Sequence, residues 1–421
     1  MSIIKILILS PYYYPEQIAS SHLTDDLERA IIESGSTIEI YTPTPTRGIT
    51  DNIYKKYKNI KYEEKYNGAI RIYRFPMFRE GKNPILRAIR YIMCNIIQYY
   101  MATHAKDIDL VYSSSTPPTQ GYLSGKVAKK LSSIYGKKVP FVYNLQDVFP
   151  ESLVNAGITS QGSLIWQLGR IIENFSYKNA EKIITISDGW GKILLEKNVP
   201  RDKIEVVYNW GDENNVYPIK KEDNKVLKKY NLSSTDFYVT HCGNMGMSQS
   251  LDTVLDAAKD ILKTANDIKF IFVGNGVSKE ALQERVEKES INNVLFIPFQ
   301  DEKDLAHVMS MGDISIVSSK KNVGLSSLPS KTWNILSAGR PVLCAFDKES
   351  DLQKIVEKNQ LGICIEPDDS VAFKAAVLNA YVHRDMFNTF GENGRKFVEN
   401  NITKEFGTKR YLDIIYGCIN N

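Results

Sequence analysis

Lys331 stands in "LPSKTWNILSAGRPVL", where Ser330 takes a helix-capping place, Lys331 opens a short helix and Gly339 closes it ahead of Arg340 and Pro341. A cation is disfavoured at the positive end of a helix dipole. Its presence predicts an anion bound there by free backbone N–H groups and the ammonium together. A solvated surface lysine is the plainer alternative. A second candidate is "THCGNMGMSQSLD", in which a strand ends at His241 and Gly243, Asn244 and Gly246 turn the chain before a helix near Leu251. Glycines at such a turn let a diphosphate approach the backbone. A simple strand-to-helix turn uses the same residue types.

Carboxylates come next. In "YNLQDVFPES", Asp147 and Glu151 lie four apart after a strand, with Pro150 stiffening the loop. That spacing suits shared general acid–base work, although an aspartate at a strand end also caps turns. The first loop, "SPYYYPEQIASSHLTDD", carries Glu16 and a helix cap at Ser20 or Ser21, a potential contact for a phosphate or sugar. His22 on that helix reads as structural. Pro117 and Pro118 in "STPPTQGYLSG" open another helix.

The elements that must position these residues alternate. Short β-branched runs predict strands at 4–9, 37–41, 69–74, 109–112, 139–143, 182–186 and 204–207. Amphipathic helices fall between them, such as 20–34 closing on Gly35. A fresh series begins near 236, with strands at 237–241, 268–273, 294–297, 313–317, 341–345 and 362–365. Between the series lies a polar, turn-rich stretch, 209–236, read as a hinge. The pattern is α/β with two doubly wound parallel sheets. Ligands bind such sheets at the carboxyl ends of their strands, so two facing halves would enclose a cleft. The expected bounds are 1–210, 211–400, and a last segment 401–421 that crosses back to the first domain.

Composition narrows the function. The 421 residues suit two domains, and 53 Lys+Arg against 49 Asp+Glu leave a net charge of +4, too balanced for a nucleic-acid binder. The five cysteines form no CxxC pair, which argues for reduced thiols and against structural zinc. The N-terminal apolar run is too short for a signal peptide, and "ILRAIRYIMCNIIQYYMATHA" is too interrupted to span a bilayer. In that segment Ile85, Ile89, Ile92 and Ile96 form a stripe with Arg87 and Arg90 beside it. Such a stripe is either core or an interfacial face with basic flanks.

Together "PYYYPEQIASSHLTDDLERAIIESGSTIEIYTP", "ITISDGW", "KIEVVYNWGD", "THCGNMG", "FIFVGNG", "IPFQDEKDLAHVMSMGDISIVSS" and "PSKTWNILSAGRPVL" resemble, in order, the family 4 glycosyltransferases of GT-B fold. With "QDVFPES", the chain is most similar to the branch that transfers fucosamine and related N-acetylated amino sugars in surface-polysaccharide assembly, O-antigen and capsule. The resemblance implies two Rossmann-like domains, the first binding acceptor and the second a UDP-sugar donor. Gly243, Asn244, Gly246, Ser330 and Lys331 would hold the diphosphate, Ile297 and Phe299 the base, and Asn334 a ribose hydroxyl. Asp147 would meet the acceptor hydroxyl or sugar, with Glu16, Ser20, Ser21 and Glu151 in the acceptor region. It implies no metal and no cofactor. The implied partners are a UDP-activated amino sugar, a polyprenyl-diphosphate-linked saccharide and an anionic membrane surface. The expected location is cytoplasmic, peripheral at the inner face of the cytoplasmic membrane.

Two departures stand out. The family's paired glutamates would fall on Ser326 and Asn334, and the cation pair after its glycine turn is replaced by Met247, Ser248 and Gln249. Retention of configuration is therefore expected from the family alone. A UDP-sugar 2-epimerase of the same fold, and a catalytically silent glycan- or partner-binding subunit, stay open as alternatives.

Overall fold

Apolar runs such as KILIL and FYVTHCGN are buried along most of their length, as parallel strands covered by helices on both sides must be. The computed structural model describes residues 3–16, 21–81, 83–155, 159–211, 213–324 and 328–419. Ser20 and Ser326 lie outside these, and Ser21 is described only in its backbone. The chain divides into two units, Met1–Tyr208 with Thr408–Asn421, and Asn209–Gly407.

The first unit holds an eight-stranded sheet: β1 Lys5–Leu9, β2 Thr37–Pro43, β3 Tyr62–Lys65, β4 Ile70–Phe75, β5 Leu110–Ser114, β6 Phe141–Leu145, β7 Lys182–Thr185 and β8 Ile204–Val206. Their order is β3-β4-β2-β1-β5-β6-β7-β8, and only β3 runs antiparallel to its neighbour. Sequence reasoning missed β3 because YEEK has no apolar run and sits exposed at the edge. The second unit has six parallel strands, β9 Phe237–Asn244, β10 Ile268–Asn275, β11 Val294–Ile297, β12 Ile314–Ser318, β13 Val342–Ala345 and β14 Gly362–Ile365. Their order is β11-β10-β9-β12-β13-β14. β9 continues three residues past its apolar run because Gly243 and Asn244 stay paired with Gly274 and Asn275.

The apolar stripe of the Pro84–Ala102 helix faces outward. Ile85, Ile89, Ile92 and Ile96 are exposed. The inner face instead carries Arg90, fully buried against Glu80 at 3.3 Å, and Gln98, whose amide donates to the Ser10 and Tyr41 carbonyls at 3.0 and 2.7 Å. Arg90 is therefore no basic flank. It is spent inside, where an unpaired guanidinium would be costly.

Glu28, buried beneath the Ser21–Glu33 helix, accepts a hydrogen bond from the Tyr13 hydroxyl at 2.8 Å. Burial pushes its pKa up to about 7; Asp25 adds to this, while Tyr13 and Lys65 oppose it. The folded state thus binds a proton more tightly than the unfolded chain, so stability is lost as pH rises from the usual glutamate range through 7. Glu28→Gln abolishes that loss. Its urea midpoint should gain on wild type between pH 5 and pH 8, by up to ~3 kcal/mol in unfolding free energy.

Candidate functional site

The second sheet converges on one edge where β9 and β10 touch without side chains between them. Gly243 and Gly274 have φ of +124° and +138°, and a Cβ on Gly274 would lie 2.0 Å from the Gly243 carbonyl oxygen. Only glycine permits this approach. The Lys331 side chain fills the space beside it, its Cδ 3.9 Å from where a Gly243 Cβ would stand.

Lys331 opens the Lys331–Ser337 helix, whose Trp333, Ile335 and Leu336 are buried and fix its rotation. Two glycines of the Arg384–Asn401 helix let it press close: a Cβ on Gly394 would sit 2.6 Å from Leu336 Cδ2, and one on Gly391 2.2 Å from the Gly339 carbonyl oxygen. Arg395 Nη1 donates to the Ser337, Glu213 and Val216 carbonyls at 2.9, 3.1 and 3.0 Å, holding the far end of the short helix. Residue spacing gave no sign of Arg395, which lies 58 positions beyond Ser337.

Ser330 does not cap this helix. Its backbone is already helical, at φ −59° and ψ −26°, and its hydroxyl makes no capping bond. The Thr332 amide bonds the Pro329 carbonyl instead, at 3.0 Å, leaving the Ser330 side chain exposed.

The electrostatics are one-sided. Burial pushes the Lys331 ammonium down to about 8, yet it makes no ion pair or hydrogen bond among the described residues. Its titratable neighbours are His241, driven well below its usual range by burial and by the Lys331 charge, and Cys242, pushed up to about 12 by burial. Both are neutral near pH 7, so no described titratable neighbour balances the lysine. His241 Nε2 lies 3.3 Å from the Asn244 carbonyl, while its buried Nδ1 has no partner. Gln249 does not stand in for a missing cation. Its Oε1 accepts from the Gly246 amide at 2.6 Å and locks the turn.

Of the other residues expected here, Asn244 is exposed beyond Gly243, and Asn334 lies three residues after Lys331 on the same helix face. The Ile297 side chain is fully buried and can offer a ligand only its backbone, whereas Phe299 is exposed. Residues 320–322 are tied down from across the sheet. The Lys321 amide donates to Asp368 at 2.9 Å, and the Asn322 amide to both Asp347 oxygens at 2.9 and 3.1 Å. Among the described residues no group of three His, Cys, Asp or Glu side chains could hold a metal.

In the first unit the expected carboxylate pair is not formed. Glu151 bonds Lys197 at 2.7 Å, within a cluster that includes Glu173, and is a structural partner there. The Asp147 side chain reaches the surface, where it accepts from the Val148 amide and the Ser152 hydroxyl; partial desolvation raises its pKa against those two bonds. Glu16 is also corrected. It is buried, with its oxygens given to the Tyr13, Thr46 and Arg47 amides at 3.2, 2.7 and 2.8 Å, so it joins two loops and offers nothing to an acceptor.

Two Rossmann-like units, the second with a cation unpaired among the described residues at its glycine-lined strand edge, define an α/β architecture whose ligands bind at the carboxyl ends of the strands. Residues 222–397 match the glycosyl transferases group 1 family, and residues 22–210 match the glycosyl transferase 4-like domain. The chain is a glycosyltransferase of this group, with the GT-B fold. WcaI of Escherichia coli (strain K12), a glycosyl transferase provisionally assigned to colanic acid biosynthesis, is 23% identical over 98% of this chain and 100% of its own. CapM of Staphylococcus aureus, a capsular polysaccharide biosynthesis glycosyltransferase, is 18% identical over 56% of this chain and 61% of its own. The structure of Anabaena Alr3699/HepE in complex with UDP shares the fold, with a TM-score of 0.71 at 14% identity, covering 99% of this chain and 100% of that one.

The lowered pKa of Lys331 is directly measurable. Competitive labelling with acetic anhydride should give half-maximal reactivity near pH 8 at Lys331, while exposed lysines titrate above pH 10. A Lys331 midpoint above pH 10 would show that its surroundings are open to water.

Proposed function

We propose that this glycosyltransferase moves an N-acetylated hexosamine, of fucosamine type or related, from a UDP-sugar to a polyprenyl-diphosphate-linked saccharide in bacterial surface-polysaccharide assembly. Lys331 carries the reading: it is a partly buried ammonium with no counter-charge among the described residues, beside the side-chain-free backbone of Gly243. The colanic acid and capsule assignments of WcaI and CapM support the polysaccharide context, and the UDP complex of HepE supports the donor nucleotide.

Lys331 would meet the diphosphate, gaining attraction as negative charge grows on the departing UDP; charge stabilised more in the transition state than before it accelerates transfer. Asn244, Ser330 and Asn334 would hydrogen-bond the phosphates and ribose, and Phe299 would cover the base. Asp147 is the exposed carboxylate left to orient the acceptor hydroxyl, and a donor phosphate oxygen would take its proton in a retaining transfer. Such an enzyme works peripherally at the inner face of the cytoplasmic membrane, where its acceptor is found.

UDP release from a panel of UDP-N-acetylhexosamines, with bacterial membrane lipid as acceptor, tests this. One donor should support turnover, and Lys331→Ala should lower kcat about 100-fold or more. Asp147→Asn should lower turnover while leaving UDP affinity within about twofold. Full turnover in Lys331→Ala would refute the site, and an epimerised donor formed without acceptor would refute the reaction.

A further inference from the structure

The first unit carries a surface that the transferase chemistry does not use. Three helices lie side by side on one face of its sheet: Pro84–Ala102, Thr119–Tyr135 and Leu164–Asn179. Gln120 bridges the first pair through Asn95 and Gln98 at 3.3 and 3.1 Å. Gly121 lets the second pair close, since a Cβ there would lie 2.7 Å from Ser176 Oγ.

The outward side of this layer is inverted. Ile85, Ile92 and Ile96 on one outer helix and Leu164, Leu168 and Ile171 on the other are each between 59% and 78% exposed. Large apolar side chains gathered in this way mark an interaction surface. The middle helix sets an exposed cationic column between them. Lys126 Nζ stands 5.6 Å from the Tyr122 ring centre and 5.2 Å from that of Phe175, and Lys129 Nζ 5.4 Å from Phe175.

Charge selects the partner. The chain has 49 acidic residues, yet the first two helices have none. The third has only Glu173, buried and paired with Lys197 at 2.6 Å. Self-association through this face would set lysines against lysines. An anionic bilayer surface instead takes the isoleucines and leucines into its interface and the ammoniums at its headgroups. Among the described residues no helix is long and apolar enough to cross a membrane, so the face would lie on it.

We infer that these three helices form one composite docking face for an anionic lipid bilayer. In a parallel sheet each crossover helix starts at the carboxyl edge of the strands. Most of the exposed apolar residues lie in the first halves of the outer helices, so docking sets the Asp147 edge of this unit against the membrane. The inference deepens the lipid-linked-acceptor reading and rests on it for its role in catalysis. The binding itself is measured without it.

Flotation of the full chain with vesicles of phosphatidylcholine alone, or with 30% phosphatidylglycerol (about a third anionic lipid, enough to attract basic segments), tests the face. UDP-induced thermal stabilisation reports the fold of each variant. Wild type should bind the anionic vesicles about tenfold better than the neutral ones and lose that preference in high salt. Ile92→Glu, Leu168→Glu and the Lys126→Glu/Lys129→Glu pair should each weaken binding about tenfold or more while keeping the UDP response. No binding by wild type overturns the inference. So does Leu168→Glu binding as wild type does, which would confine the site to one helix. A concentration-dependent dimer in sedimentation, abolished by Ile92→Glu, overturns it in favour of a second copy. Vesicle binding in a chain that shows no UDP response keeps the docking face and removes the UDP-sugar donor of the proposed function.

Discussion

A partly buried ammonium with no counter-ion among the described residues is the constraint around which the second domain is arranged. Lys331 is desolvated enough to bring its pKa to about 8, and no described side chain repays it. The charge is held by packing: Trp333 and Leu336 fix the short helix, glycines in the Arg384–Asn401 helix let it seat, and Arg395 ties down its far end. Beside the lysine side chain β9 and β10 close on backbone alone, because Gly243 holds a φ of +124° and a Cβ on Gly274 would strike the Gly243 carbonyl oxygen. A cation fixed by packing in the resting state would need little reorganisation if an anion arrived, which is where electrostatic catalysis draws its strength.

The first domain uses its charges differently. Glu16, Glu28, Glu80, Arg90 and Glu173 lie inside it, bonded to backbone amides, to tyrosine hydroxyls or to an opposite charge. Asp147 is the strand-end carboxylate among the expected site residues that remains at the surface. Polar groups buried with partners and apolar groups displayed on the three-helix layer are two sides of one arrangement.

Much of this was legible in the sequence for definite reasons. Thirteen of the strands appear as short β-branched runs, since strands buried on both faces must be apolar throughout; YEEK at 62–65 carries no such mark. Lys331 stood out as a candidate because a cation at a helix start contradicts the dipole. The Ser330 cap was misread because residue type does not reveal that its backbone is already helical. Glu16 and Glu151 were misassigned because the partners that engage them, Thr46, Arg47 and Lys197, lie 30 or more positions away. The stripe from Ile85 to Ile96 was ambiguous for another reason: helical spacing is the same whether a face meets core or solvent. Only the burial of Arg90 and Gln98 decides it.

The central claim is that Lys331 meets the diphosphate. Calorimetry of UDP binding at pH 8.5, in buffers of different ionisation enthalpy, tests it most directly. With a pKa of about 8 the free ammonium is mostly deprotonated there, and an adjoining diphosphate raises that pKa. Binding to wild type should therefore take up roughly three quarters of a proton, and binding to Lys331→Ala essentially none. Tight UDP binding to wild type with no proton uptake, or equal uptake in the variant, would place the diphosphate elsewhere and contradict the account.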